Sequence, residues 1–351
     1  MTASPALVTA CIPVYNGARF IGETLESLQG QSYPDFRARI SVDPSSDDSA
    51  AVCRRWLRDP RFELCEQPHR SGWVDNCNWL LARVRSPYCF LLPHDDLLEP
   101  RFLERMLESA RANPQAAVVY PDIQTFGRID NLIIAQESIR GSLVGRLRLF
   151  LTEHYNAVAF RGLIGLETLS RAGLLQHNPW ADFSEDTVWL MKLVRHGELI
   201  RVPEPLYRKR YHPHSEHAAW LDRDRAERIQ VWSHHCLELA AQALDPDLPA
   251  HQQSMLLQAA LERLLGLGAK LAPFSEIGQL SESERQLLVT AFCQGLAEQL
   301  GADRLEALWS SVRELGGGEP LGAAAAGRDQ PSSDAPSGGL RGGGSMRPDG
   351  R

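Results

Sequence analysis

The first 120 residues alternate between short apolar runs and segments with helical periodicity. Five apolar runs bounded by turn residues predict strands, at residues 7–12, 37–42, 62–66, 88–92 and 116–120. Between them apolar residues recur at helical spacing, as on one face of the segment from Phe20 to Leu28. Because this alternation builds parallel sheets, we predict an α/β fold with a mostly parallel, twisted sheet and helices on both faces.

The pattern is less regular after residue 120. Residues 121–140 predict irregular structure, and residues 157–164 a strand or an extended segment. Residues 142–151 and 185–195 predict helices. Two short strands are predicted at residues 199–202 and 206–211.

The C-terminal third differs in composition from the rest. Residues 218–315 carry helical periodicities and predict a helical extension. Residues 316–351 are rich in Gly, Ala, Ser and Pro, so this tail is predicted to be disordered. The expected domains are therefore 1–217, 218–315 and 316–351.

Composition limits the partners and the compartment. The 351 residues carry a net charge of −7, which does not favour nucleic acid as a partner. The N-terminus lacks the features of a signal peptide, and no apolar stretch approaches the ~20 residues that span a bilayer. The seven cysteines contain no C-x-x-C pair and are expected to be reduced. We expect a soluble cytoplasmic protein.

The fourth apolar run ends abruptly in Pro93-His94-Asp95-Asp96. Ligands of open α/β sheets bind beyond the carboxyl ends of the strands. Two adjacent carboxylates repel each other, so a bound cation would stabilise them. Alternatively, Asp95 or Asp96 caps the helix predicted to begin near Glu99. This stretch alone leaves both interpretations open.

Two other predicted strand ends carry polar clusters, Pro13–Asn16 and Asp43–Ser49. In a parallel sheet such ends meet at one edge and can share a cleft. Tyr15 offers a ring face for stacking, and Asp43 can accept hydrogen bonds from a base or a ribose. Each cluster taken singly also fits a turn with a helix cap. Together with the acidic pair they favour a site for a nucleotide and a cation.

Several blocks of the sequence occur in the order typical of one enzyme family. The blocks are Ile12–Asn16, Glu23–Leu28, Gln31–Phe36, Val42–Asp47, Gly72–Asn78, His94–Asp96 and, more weakly, Glu185–Asp186 and Tyr207–Ser215. This order resembles family 2 glycosyltransferases of the GT-A (nucleotide-diphospho-sugar transferase-like) fold. The resemblance covers about residues 7–215, and it is most specific in the opening block.

The resemblance implies a donor site and a metal site. Tyr15 would stack on the base and Asp43 would contact it. Four other residues are expected at the donor nucleotide, namely Pro13, Asn16, Asn78 and Asp95. Asp95 would hold Mn²⁺ or Mg²⁺, and His212 would ligate the same metal or contact the diphosphate. His94 is a possible further ligand, and the alternative is a histidine exposed on a loop.

The resemblance also implies an acceptor site. Asp186 corresponds to the base of an inverting reaction, with Glu185 beside it and Trp180 on the acceptor side. A carboxylate in this role takes the proton of an acceptor hydroxyl as its oxygen attacks the anomeric carbon. Acidic residues also favour helix N-termini for electrostatic reasons alone, which is the alternative for Glu185 and Asp186.

Four positions depart from the family pattern. Pro93 and Val42 replace acids, Pro44 replaces a glycine, and Cys77 replaces an arginine. Cation sites of the magnesium type often use one or two carboxylates plus phosphate oxygens, so the loss of one acid weakens a site without abolishing it.

The resulting hypothesis is an inverting glycosyltransferase that uses a nucleotide-diphosphate sugar and a glycan, lipid-linked or small-molecule acceptor. The alternative is a non-catalytic nucleotide-sugar or glycan binding module of the same fold. A nucleotidyltransferase is less favoured because no glycine-rich basic loop follows the first strand. The C-terminal helices could support a homo-oligomer.

Overall fold

The computed structural model describes residues 6–154, 156–213, 223–266 and 279–314. The strands are β1 (Val8–Val14), β2 (Phe36–Val42), β3 (Phe62–Glu66), β4 (Tyr88–Leu91), β5 (Leu97–Leu98), β6 (Ala116–Gly127), β7 (Ile133–Ile134), β8 (Leu163–Gly165) and β9 (Glu198–Tyr211).

Seven helices accompany these strands, and four more follow them in the described part of the chain. The first set is α1 (Ile21–Gln29), α2 (Ser49–Arg54), α3 (Trp73–Leu81), α4 (Phe102–Ala112), α5 (Leu143–Glu153), α6 (Leu166–Ala172) and α7 (Glu185–His196). The second set is α8 (Arg225–Ala243), α9 (Ala250–Leu264), α10 (Glu282–Leu300) and α11 (Ala302–Glu314). Short 3₁₀ helices occur at Arg55–Arg58 and Val158–Arg161.

The nine strands form one sheet in the order β3-β2-β1-β4-β8-β6-β9-β5, with β7 paired to β6. The pairs among β1 to β4 and the pair β6–β9 are parallel. Strand β8 runs antiparallel between β4 and β6. In β1 every residue except Pro13 is buried, as expected for a strand covered on both faces. The predicted mixed α/β class is confirmed.

Three predictions for the second half of the sheet were wrong in detail. Strand β6 continues to Gly127 through the segment predicted as irregular. Residues 157–164 begin with a 3₁₀ helix before β8. The two short strands predicted near the end of the domain form one strand, β9, which pairs with β6 on both sides of a register irregularity.

Helix α9 packs against α5 and helix α8 against α7 of the sheet domain, and helices α10 and α11 pack against α8 and α9. Arg263 of α9 is fully buried and donates hydrogen bonds to three carbonyl oxygens in the last turn of α5 or just after it. Arg195 at the end of α7 pairs with Asp245 after α8. The helical character of the extension is therefore confirmed.

Several expectations concern segments that the structure does not describe. The proposed domain boundary at residues 217 and 218, the end of the block Tyr207–Ser215 and the tail from residue 316 all lie outside the described residues. Oligomerisation through the C-terminal helices stays a prediction. None of the described helices has the length and apolar character needed to cross a bilayer. All seven cysteines are free, as expected for reduced thiols.

Candidate active site

The predicted strand ends lie at one edge of the sheet. Strands β1, β2 and β4 are parallel neighbours, so their carboxyl ends bring Tyr15, Asp43 and Asp95 to the same edge. Strand β9 reaches this edge from the other half of the sheet. It begins beside the start of β6 and ends at Tyr211, next to His212.

Asp95 and His212 are in direct contact. The Nε2 atom of His212 lies 2.9 Å from Oδ2 of Asp95, although the two residues are 117 positions apart in sequence. Their side chains are 17% and 15% exposed, so both are accessible from the edge of the sheet. One carboxylate oxygen and one imidazole nitrogen form a donor set that suits Mn²⁺ better than Mg²⁺. The described residues contain no group of three or more acidic, histidine or cysteine ligands, so any cation here needs further oxygens from a substrate.

Asp96 holds the end of β9, which precedes His212, and it does not cap a helix. It is buried and accepts hydrogen bonds from the Tyr207 hydroxyl at 2.7 Å and the Arg210 backbone N–H at 2.8 Å. Burial and the charge of Asp95 raise the pKa of Asp96 to about 6. The helix-cap alternative was wrong, because α4 begins after Arg101 without a side-chain cap.

The His94 side chain is partly buried, and its role as a metal ligand stays a prediction. Its ring lies against Gly17 so closely that a Cβ atom added to Gly17 would be 2.5 Å from the ring. Burial lowers the pKa of His94, while Asp95 and a hydrogen bond with the backbone of Pro13 oppose that shift. The expectation of a solvent-exposed loop histidine was therefore wrong. The contact explains why residue 17 has no side chain.

Two basic residues that the sequence analysis did not single out, Lys209 and Arg161, lie near Asp96 and Asp186. Burial lowers the pKa of Lys209 to about 8, although Asp96, Asp186 and Asp95 favour its charged form. Burial also opposes the charge on Arg161, but nearby groups that include Tyr207 and Asp96 raise its pKa overall. The charge of Asp186 contributes to the pKa shifts of both Arg161 and Lys209. Carboxylates and basic side chains therefore lie close together in this part of the site.

The residues predicted to bind the donor nucleotide differ from one another in their surroundings. Tyr15 is half-buried, and the guanidinium carbon of Arg70 lies 4.0 Å from the centre of its ring. Asp43 is buried, and its carboxylate accepts hydrogen bonds from the Ser71 hydroxyl at 2.8 Å and from the N–H groups of Ser71 and Gly72 at 3.2 and 3.0 Å. Asp43 therefore holds the loop before α3 against the end of β2.

Asn16 and Asn78 both make contacts within the protein. The side-chain carbonyl oxygen of Asn16 accepts a hydrogen bond from the Ser46 N–H at 2.8 Å. This bond joins the segments that follow β1 and β2. The Asn78 side chain makes two 3.0 Å hydrogen bonds with the backbone of Leu175. These bonds use its side-chain carbonyl and amide groups and hold the loop between α6 and α7, and the role of Asn78 at the donor nucleotide stays a prediction.

The residues predicted on the acceptor side lie in the loop before α7 and in the first turn of that helix. Glu185 is buried and accepts a 2.8 Å hydrogen bond from the Gln176 N–H, and burial raises its pKa to about 7. Asp186 accepts from the Thr187 N–H at 2.7 Å through Oδ1. Among the described residues, nothing donates a hydrogen bond to its Oδ2. Trp180 is partly buried and packs against the core.

The sheet order and the polar strand ends define a GT-A-type domain. The structure resembles that of S. aureus TarS 1-349 in complex with UDP-GlcNAc, with a TM-score of 0.62, 16% identity and 88% coverage of each chain. It also resembles the mannosyltransferase PcManGT from Pyrobaculum calidifontis, with a TM-score of 0.50, 19% identity and coverage of 89% of this chain and 88% of that one. At these identities the likeness establishes the fold.

The sequence comparisons show similarity to one family over the first part of the chain. Residues 9–164 match the family model described as Glycosyl transferase family 2. Escherichia coli chondroitin synthase is 30% identical over 128 residues, which are 36% of this chain and 18% of that protein. GlyG of Streptococcus pneumoniae is 20% identical over 114 residues, 32% of this chain and 38% of that glycosyltransferase. Residues 9–164 are therefore similar to glycosyltransferase family 2, and the chain spans well under half the length of these relatives.

Proposed function

We propose that the protein is an inverting glycosyltransferase that moves a sugar from a nucleotide-diphosphate donor to an acceptor hydroxyl with a divalent cation. The contact between Asp95 and His212 supports the proposal most strongly, because it joins two predicted metal ligands from opposite halves of the sheet. The fold neighbours that were solved with UDP-GlcNAc, or with GDP-Man and Mn²⁺, indicate which donor classes to test first. The acceptor remains a glycan, a lipid-linked molecule or a small molecule.

The proposed reaction divides between two groups of residues. The acceptor oxygen forms a bond to the anomeric carbon as the bond to the donor phosphate oxygen breaks, and the nucleoside diphosphate leaves with the electron pair. Asp186 takes the acceptor proton, for which its Oδ2 is available. Asp95 and His212 would hold the cation, which when bound supplies positive charge to the leaving diphosphate. Arg161 and Lys209 add fixed positive charge beside the same centre.

The test separates cation binding from proton transfer. Release of nucleoside diphosphate from UDP-, GDP- and dTDP-sugars is measured with Mn²⁺ and with Mg²⁺, and donor affinity is measured by calorimetry. We expect Asp95→Ala to remove cation-dependent donor binding. We expect Asp186→Asn to lower turnover by about 10²–10⁴-fold while donor binding is retained.

Asp35→Asn is the matched control, because Asp35 is an exposed carboxylate before β2, at the opposite end of that strand from Asp43. It should change neither quantity. Unchanged cation-dependent binding in Asp95→Ala would contradict the metal role. Donor binding without any release by the wild type would favour the alternative, a non-catalytic binding module, which the departures at Pro93, Val42 and Cys77 motivate.

A further inference from the structure

The loop between α6 and α7 is joined to α3 by one imidazole that contacts two carboxylates. Nε2 of His177 lies 3.0 Å from Oδ1 of Asp75, in the first turn of α3. Nδ1 of the same ring lies 3.0 and 3.1 Å from the two carboxylate oxygens of Asp182. We call Asp75, His177 and Asp182 the His177 bridge. It connects the donor-side helix to the loop that carries Trp180.

The backbone beside this bridge is strained. Ala181, Asp182 and Ser184 have φ angles of 56°, 59° and 59°, in the left-handed region that side chains disfavour. Each such residue costs on the order of 1–3 kcal/mol and persists only where its surroundings hold it. Ser184 is also the residue before α7, and its side chain does not cap that helix. The conformation that starts α7, and so places Asp186, therefore depends on contacts elsewhere in the loop.

Asp182 supplies some of those contacts for the strained part of the loop, and the side chains of Asn178 and Arg223 supply others. The Asp182 carboxylate accepts a hydrogen bond from the Asn178 N–H at 3.0 Å in addition to contacting His177. The start of the loop is fixed separately, by Asn78 at Leu175 and by Glu185 at the Gln176 N–H. The strained half therefore depends in part on Asp182, and the His177 bridge links Asp182 to α3.

We propose that His177 is a positioning residue of the acceptor side, which holds the strained loop against α3 and thereby sets the positions of Trp180 and Asp186. This inference rests on the proposed function, since Asp186 is the base in that proposal. In this proposal His177 acts through Asp75 and Asp182 and not on the donor or the acceptor directly. Its effect passes through Asp182 and the start of α7.

The bridge requires a protonated imidazole to satisfy both carboxylates. The hydrogen bonds that the imidazole donates to the carboxylates of Asp75 and Asp182 raise the pKa of His177 above its ordinary value of 6.5. The folded pKa thus exceeds the unfolded one, so the bridge is fully formed below about pH 6.5 and is lost as the pH rises through the raised pKa. Asp75 on α3 and Asp182 on the loop are the charged groups that face the ring.

Two variants test the bridge with the full-length protein. His177→Ala removes it, whereas His177→Arg keeps a cation that both carboxylates can contact at every pH. Hydrogen–deuterium exchange of the amides of residues 176–187, corrected for the intrinsic effect of pH, reports on the loop. Release of nucleoside diphosphate from UDP- and GDP-sugars with water as the acceptor reports on Asp186. His251→Ala is the control, because His251 is exposed on α9.

We expect His177→Ala to increase exchange of these amides and to lower the turnover of donor hydrolysis by about threefold to tenfold, the size of a 0.7–1.4 kcal/mol change, with donor affinity unchanged. His177→Arg should restore both quantities and keep them constant from pH 6 to pH 8, where the wild type declines. The control should match the wild type.

Two results would overturn the inference. One is that the amides of residues 176–187 exchange as slowly in His177→Ala as in the wild type. The other is that they exchange faster in His177→Ala while its turnover is unchanged. A wild type that releases no nucleoside diphosphate from any donor would instead refute the proposed function. The exchange measurement would still decide whether the bridge holds the loop.

Discussion

At the scale of single residues, the contact between Arg70 and Tyr15 has a direct consequence for donor binding. The guanidinium carbon lies 4.0 Å from the ring centre, in the layer that a nucleobase stacked on this face would occupy. Among the described residues, Arg70 makes no hydrogen bond or ion pair, whereas the adjoining backbone is fixed by Asp43. The Arg70 guanidinium can therefore move away from the Tyr15 ring by the thickness of one base and stack on the outer face of a bound base.

We expect Arg70→Ala to weaken binding of UDP or GDP by about tenfold, because stacking on a base is worth ~1–3 kcal/mol. Arg70→Lys should recover little of this loss, since an ammonium group lacks the planar face. Calorimetry with Arg111→Ala as the control measures the effect, because Arg111 is exposed at the end of α4. Tighter binding by Arg70→Ala would show instead that Arg70 obstructs the base.

At the scale of elements, the end of β6 supports the end of β9. Gly127 has a φ angle of 93°, and a Cβ atom there would lie 2.6 Å from the Tyr211 carbonyl oxygen. The next residue, Arg128, donates its backbone N–H to that same oxygen at 2.9 Å. Since Tyr211 precedes His212, this close approach of two backbones determines where the imidazole meets Asp95.

Gly127→Ala tests this dependence. We expect it to reduce the free energy of unfolding by more than the ~1–2 kcal/mol of a left-handed alanine, because the new methyl group also displaces Tyr211. It should also raise the Mn²⁺ concentration needed for donor binding. Gly141→Ala is the matched control, since Gly141 has a φ angle of 98° but no atom within 4 Å of the added Cβ. Equal effects of the two variants in urea unfolding and Mn²⁺ titration would contradict the explanation.

The same strands show what the sequence could and could not predict. The five strands of the first half have apolar runs between turn residues, and each was found. Strand β9 was predicted as two strands because Pro203 and Pro205 lack the N–H groups that a continuous ladder needs. The register irregularity lies at this point, and pairing resumes at Tyr207. Strand β8 has three residues, too few for a period to be recognised.

The candidate site was predictable only where a motif covered it. Resemblance to the family selected Asp95 and His212, which the fold brings into contact. Local sequence carries no signal for Arg161, which lies in a 3₁₀ helix, or for the contact between His177 and Asp75, which spans 102 positions. Such contacts depend on how distant elements pack, and residue type and local spacing do not encode that packing.

At the scale of the whole molecule, a buried polar cluster joins the sheet domain to the C-terminal helices. Arg263 of α9 donates to the carbonyl oxygens of Phe150, Leu151 and His154 at 3.3, 3.1 and 2.9 Å. The ring of His235 in α8 lies 3.4 Å from the same guanidinium. Both histidines are buried beside a permanent cation. Charging either ring would therefore oppose the packing of the two parts.

The chain should lose stability in mild acid through this cluster. Burial and the charge of Arg263 lower the pKa of His235 well below 6.5, and burial lowers that of His154 to about 4. The unfolded chain then binds more protons than the native state below about pH 6.5, so the contribution of these groups is complete above that pH and falls towards pH 4. Each histidine can contribute about 1.4 kcal/mol per pH unit in that range. Urea unfolding at pH 7.5, 6 and 5 measures the slope.

His154→Gln isolates one of the two protons, because a glutamine amide can still donate to the Glu137 carbonyl that lies 2.9 Å from Nε2 of His154. We expect this variant to be less stable than the wild type at pH 7.5 but to lose less stability between pH 6 and pH 5. His251→Gln removes an exposed histidine of α9 and should leave the slope unchanged. If His154→Gln kept the full wild-type slope, the acid sensitivity would have to come from groups outside this cluster.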